Sequence, residues 1–173
     1  MKRAEEKVIL AILASAALVS SVMMLIVYKL IKKNFIRPIG LLTKSAKAMV
    51  ATKILIKYGM KQGLSPAEAF RTSNEKLIES NEMDLFVTAW LVQIDLDTGE
   101  CIEVNAGHEH PAVRKAGGVY ELIKYKHSPA LATLEEIIYK ERSLSLEPGD
   151  SIFVYTDGVT EATNFDKKLF GKQ

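Results

Sequence analysis

The chain of 173 residues has a single cysteine, Cys101, so it has no internal disulfide and is not a stapled secreted fold. It has no strong excess of either charge sign. A formal net charge of +2 leaves no basic field, which removes nucleic acid as a partner class. There are no internal repeats and no low-complexity tract, so solenoids and disordered arrays are excluded as well. Cys101 lies in a strand-like stretch and reads as a small core or interface residue.

What is present is unevenly distributed. Val8 to Val27 contains no charged residue. At about 1.5 Å per residue, that run would cross a hydrocarbon core of about 30 Å, and it reads as a transmembrane helix. Ala14-Ser15-Ala16 faintly resembles a signal cleavage site, but the apolar run continues beyond it, and Glu5 and Glu6 suit a signal's basic start poorly. Lys29, Lys32, Lys33 and Arg37 follow the run, with Lys44 and Lys47 beyond. The bias of lysine and arginine toward the inner side predicts a single-pass protein of the cell membrane whose C-terminal domain is cytoplasmic. The expected organisation is an N-terminal tail and membrane helix over 1–28, a juxtamembrane helix over 29–47 and a folded domain over 48–173.

Pro38 restrains Arg37 and lacks a backbone donor, which predicts a break or a new helix start there. Ala48 to Tyr58 reads as a helix with Val50, Ile54 and Tyr58 on one stripe, ended by Gly59 and Gly63. Ser65-Pro66-Ala67-Glu68 combines a capping serine, a proline at the first helical position and a glutamate that closes a capping box. The helix it starts should run to about Ser80, with Phe70, Asn74, Leu77 and Ile78 on one face.

From Asp84 the period changes. Leu85 to Val92 is apolar on both faces, and Asp97-Thr98-Gly99 then connects it to an alternating strand from Cys101 to Ala106. Shorter strand-like runs follow at 112–115, 119–124 and 137–146. Helices followed by strands imply an α+β arrangement with an antiparallel sheet. In the loop Asn105-Ala106-Gly107-His108-Glu109-His110-Pro111, a lone His-x-His is too little for zinc, and a turn held by side-chain hydrogen bonds is the simpler reading.

The run Ile152 to Tyr155, apolar on both faces and preceded by the turn Glu147-Pro148-Gly149-Asp150, predicts a strand packed on two sides. It ends at Thr156-Asp157-Gly158. Asp157 either caps the short helix that follows or ligates a hard cation, with Gly158 leaving the approach open.

Three stretches together resemble one family. Phe86-Val87-Thr88-Ala89-Trp90, then Asn105-Ala106-Gly107-His108 with Pro111, then Leu146 to Asp150 leading into Tyr155-Thr156-Asp157-Gly158-Val159-Thr160-Glu161-Ala162, resemble the bacterial PPM-type (PP2C-like) serine/threonine phosphatases of the sporulation and stress-response group. Arg37-Pro38-Ile39-Gly40-Leu41-Leu42 resembles the opening of a HAMP linker, which suggests a homodimer through the juxtamembrane helices. The phosphatase resemblance implies a partial β-sandwich flanked by helices, and manganese or magnesium ions that activate water against phosphoserine or phosphothreonine. It implies that Asp157 is a metal ligand and places Asn105 and His108 on a nearby loop, while Glu161 is a surface or supporting residue. The implied partner is a phosphorylated protein regulator, with an anti-sigma-antagonist as one kind.

The sequence also departs from that family. The family's early aspartate, its Asp-x-Ser-Gly-x-Gly motif and its late Asp-Asp-x-Thr strand have no counterpart here, and one carboxylate cannot hold two divalent ions. A non-catalytic relative acting as an interaction module is therefore the alternative expectation. Strands without their neighbours would leave edges and apolar surface uncovered.

Overall fold

The computed structural model describes residues 2–80 and 85–171, with the side chains of residue 15 and of residues 18–80 and 85–171. The chain divides into two compact units, Met1–Lys47 and Ala48–Gln173. Helix α1 spans Lys2–Ile31, a π-helical turn covers Lys32–Ile36, and α2 begins at Arg37 and runs to Lys61. The π turn precedes Pro38, where the ladder must change: proline donates no hydrogen bond, and the Arg37 amide reaches back five residues to the Lys32 carbonyl.

The membrane helix expected over Val8–Val27, and with it the single-pass membrane location, must be corrected. Among the described residues, no helix is long and apolar enough to cross a membrane. The side chains of residues 8–14, 16 and 17 lie outside the described set. Past Val27 the helical stretch carries charge at Lys29, Lys32 and Lys33.

Helix α2 is longer than the stripe from Ala48 to Tyr58 suggested, because the basic-apolar stretch before it is also helical. Gly63 ends it with a left-handed φ of 85°, and the Leu64 amide donates back to the Gly59 carbonyl. Helix α3, Pro66–Glu79, opens on the expected capping box: Ser65 Oγ accepts from the Glu68 amide at 3.3 Å, and Glu68 Oε2 accepts from the Ser65 amide at 2.9 Å. Gly59 lets the two helices approach, since a Cβ there would meet the Ala69 Cβ at 3.2 Å.

Among the described residues, six strands form two three-stranded antiparallel sheets. Strands β1 (Ala89–Ile94), β2 (Glu100–Ala106) and β5 (Glu141–Ser145) take the order β1-β2-β5. Strands β3 (Ala112–Arg114), β4 (Tyr120–Leu122) and β6 (Ser151–Phe153) take the order β4-β3-β6. The antiparallel α+β reading of the sequence holds for these residues. The β1–β2 hairpin closes at Asp95, whose Oδ1 accepts from the Asp97 and Thr98 amides, both at 2.9 Å. Asp84, where the period changes in the sequence, lies outside the described residues.

Two expectations about the strands are revised. Strand β6 is short and sits at a sheet edge, and Phe153 and Val154 are exposed, so the run from Ile152 to Tyr155 is not packed on two sides. Conversely, β2 is buried on both faces along most of its length, with Glu103 and Asn105 as buried as Val104.

The core forms where α3 covers one face of β1 and β2. Phe70, Leu77, Val104, Ala106, Leu131, Ile137 and Tyr139 are buried together, and the Phe70 and Tyr139 rings meet edge to face at 5.6 Å. Each large apolar side chain withdrawn from water there stabilises the fold by about 1.5–3 kcal/mol. Asn74 shares the apolar stripe because it fastens the loop opposite: its Oδ1 accepts from the Ala132 amide at 2.8 Å and its Nδ2 donates to the Leu134 carbonyl at 2.9 Å.

Candidate functional site

The end of β6 and the loop after β2 converge on a cleft of about 460 Å³, walled by Thr88, His108, Glu109, His110, His127, Thr156 and Asp157 with Met49 and Gly107. Asp157 is the first residue of the short helix α4, Asp157–Thr160, which follows Thr156. Thr156 takes the capping position but makes no capping hydrogen bond with its side chain. The Asp157 carbonyl accepts from the Glu161 amide at 2.7 Å, so its backbone starts the helix. Its side chain is exposed and lines the cleft. The cap reading of Asp157 therefore gives way: the residue lies inside the helix start. Gly158 follows it, exposed and with only Thr156 Oγ1 near the position a Cβ would take.

Asn105 does not face the cleft as a reacting group. It is buried, its Oδ1 accepts from the His108 amide at 2.8 Å, and its Nδ2 donates to the His108 carbonyl at 3.2 Å. That pair of bonds wraps the chain around Gly107, whose φ of 68° and close approach to the Ala130 backbone leave no room for a side chain. Asn105 thus sets where His108 stands. His108 Nδ1 lies 3.3 Å from Thr88 Oγ1. Burial pushes its pKa below the ordinary imidazole value, against the opposing charges of Glu109 and Asp157, which favours the neutral ring. His110 is fastened by Nε2–H donating to the Tyr125 carbonyl at 2.7 Å, and its ring meets those of Tyr125 and His127 at 5.1 and 5.4 Å. Glu161 is exposed and does not line the cleft.

Behind this cleft is a network that the sequence did not disclose. Glu103 is fully buried, receives the Trp90 indole N–H at 2.8 Å and pairs with the Arg142 guanidinium. Arg142 lies 4.3 Å over the Tyr125 ring, and the Tyr125 hydroxyl accepts from Asn105 Nδ2 at 3.4 Å. Glu103 and Arg142 are direct cross-strand partners, so only the register of β2 with β5 reveals the pair. The network ties the sheet to the loop that carries His108.

The donor set does not match a two-metal centre. The cleft holds two carboxylates, Glu109 and Asp157, and among the described residues no group of three or more His, Cys, Asp and Glu is arranged to hold a metal ion. What these residues can do unaided is present one exposed carboxylate and a neutral imidazole to a polar ligand.

Comparison with known proteins fits this architecture. The chain is 32% identical over 106 residues to Protein IcfG of Synechocystis sp., covering 61% of this chain and 17% of that protein. It is 26% identical over 113 residues to Phosphoserine phosphatase RsbU of Bacillus subtilis, covering 62% of this chain and 33% of RsbU. The chain thus spans a third or less of these relatives. The crystal structure of the RsbU and RsbW domains of Rv1364c from Mycobacterium tuberculosis shares the fold, with a TM-score of 0.61 at 22% identity, over 68% of this chain and 32% of that one. The model of the family Stage II sporulation protein E (SpoIIE) matches residues 43–173, most of the chain, and the protein belongs to that family of PP2C-like phosphatases.

Proposed function

We propose that this chain takes part in hydrolysing phosphoserine or phosphothreonine on a protein regulator, an anti-sigma-antagonist being one kind, as a piece of a PP2C-like protein phosphatase. The observation that carries this reading is the family match over residues 43–173 combined with Asp157, which ends the β6 segment at the wall of a cleft it shares with His108. Asn105 and Gly107 fix the loop, Thr88 holds the His108 ring, and the neutral imidazole is suited to exchanging a proton with a bound polar group. Manganese or magnesium belongs to this reading through the family alone. The described donors do not complete such a site, so no step through a metal is assigned to them.

That shortage favours a second reading, a non-catalytic module that binds a partner through the same domain. Release of phosphate from a phosphoserine peptide by the full chain, with manganese added and Asp157→Asn alongside, separates the two. The Asp157 side chain is exposed, so the amide should leave the fold intact. Turnover that needs the metal and is lost in the variant supports the phosphatase. Equal release by both proteins overturns it and leaves the binding module.

A further inference from the structure

All three histidines of the chain line the Asp157 cleft. His108 is held at Thr88 Oγ1, whereas the rings of His110 and His127 meet with their centres 5.4 Å apart and their planes tilted by 52°. The two come from different loops, one after β2 and one after β4. Backbone bonds fasten those loops together: the Ile123 amide donates to the Pro111 carbonyl and the Ser128 amide to the Asn105 carbonyl, both at 3.1 Å. The fold therefore builds this pair, and the His108–His110 spacing in the sequence does not announce it.

Hydrogen bonds fix which nitrogen of each ring is bare. A carbonyl oxygen only accepts, so the ring nitrogen beside it must carry the proton. His110 donates through Nε2–H to the Tyr125 carbonyl at 2.7 Å, and His127 through Nδ1–H to the Ser128 carbonyl at 3.0 Å. In the neutral rings this leaves lone pairs on His110 Nδ1 and His127 Nε2, neither of which makes a hydrogen bond among the described residues. Metal-ligating histidines are oriented in the same way, with the second ring nitrogen donating to a backbone carbonyl or a carboxylate.

The spacing also fits a shared ion. With a metal about 2.1 Å from each bare nitrogen, and so roughly 3.2 Å from each ring centre, a tetrahedral angle sets the centres about 5.3 Å apart. The observed separation is 5.4 Å. His110 is half-buried against the Tyr125 ring and His127 is exposed, so the pair is anchored on one side and open to solvent on the other. Asp157 and Glu109 line the same cleft, and their charges favour a cation there.

We propose that His110 and His127 together bind one borderline divalent transition-metal ion, of the zinc, nickel or copper(II) class, with water completing its coordination. Imidazole donors suit these ions, whereas magnesium and manganese seek oxygen. The site thus differs in residues and in chemistry from the hard-cation role that the family resemblance implies for Asp157, and it does not require the chain to be a phosphatase. Among the described residues no group of three or more donors is arranged to hold a metal, so two imidazoles are the protein's share and the coordination stays open.

The test is calorimetric titration of zinc chloride into the untagged full chain, which should show saturable binding of one ion per chain that a tenfold excess of manganese does not displace. His127→Gln changes an exposed side chain and should keep the circular dichroism spectrum while weakening zinc binding by about tenfold or more. His110→Phe, which keeps a ring against Tyr125, should weaken it as much. Asp157→Asn and His108→Gln should each leave it within about twofold of the parent. Electron paramagnetic resonance of the copper(II) form should show splitting from two imidazole nitrogens, reduced to one in His127→Gln. Absence of saturable zinc binding, displacement by manganese, indifference to His127→Gln, or a greater loss in Asp157→Asn than in His127→Gln would each overturn the proposal.

Discussion

Removing the Arg142 side chain should be among the most damaging single changes in the second unit. Glu103 retains 1% of its side-chain exposure, so its carboxylate depends on protein partners: Arg142 and the Trp90 indole. In Arg142→Ala the negative charge stays buried with one neutral donor. Breaking a buried pair in this way costs about 3–5 kcal/mol, and because Arg142 itself keeps 37% of its exposure, the lower end, about 3 kcal/mol, applies. The assay is urea unfolding of the full chain followed by fluorescence, which reads the site directly: Trp90 is the one tryptophan, and its indole donates to Glu103. With a denaturant slope of about 1.5–2 kcal/mol per molar, the midpoint should fall by about 1.5–2 M. Replacing both partners, Glu103→Met with Arg142→Met, removes the stranded charge and should recover most of the loss, to within about 1–2 kcal/mol of the parent. A shift below about 0.4 M in Arg142→Ala, or a double variant no better than the single one, would refute the argument that desolvation of Glu103 governs the cost.

Three further outcomes follow from local geometry. Ser65→Ala removes the cap of α3 and should lower stability by about 1 kcal/mol, measured as a shift in the same urea midpoint. Gly99→Ala should be worse, by about 3 kcal/mol or more, because φ is 75° there and the new Cβ would fall 2.0 Å from the Leu146 carbonyl oxygen; a thermal midpoint within a degree or two of the parent would contradict it. Stability should also depend on pH through His108. Burial holds its folded pKa below the unfolded value of 6.5, so as pH falls the unfolded chain takes up the proton first; the contribution is complete above about 6.5 and is lost as pH falls through the folded pKa. Urea midpoints at about pH 7.5 and 5.5 should differ more in the parent than in His108→Gln.

Legibility in the sequence tracked how local the physics was. The capping box at Ser65 and Glu68, the hairpin connection at Asp97-Thr98-Gly99 and the apolar stripe of α3 each involve neighbours in the chain, and each forms as the residues dictate. The membrane reading of the Val8–Val27 run does not hold, because among the described residues no helix is both long and apolar enough to cross a membrane. The run Ile152–Tyr155 misled because apolar residues on both faces state what a strand could bury, not what is there to cover it.

The sequence by itself determined the antiparallel α+β class, the start of α3 with its capping box, the β1–β2 turn, and the three stretches that mark a SpoIIE-family domain, since these rest on residue type at short spacing. Only the tertiary structure decided that Asn105 shapes a loop, that Asp157 and His108 share a cleft and that Glu103 pairs with Arg142. Each of these joins residues far apart in the chain. Their meeting is set by strand register and helix packing, which no local pattern encodes.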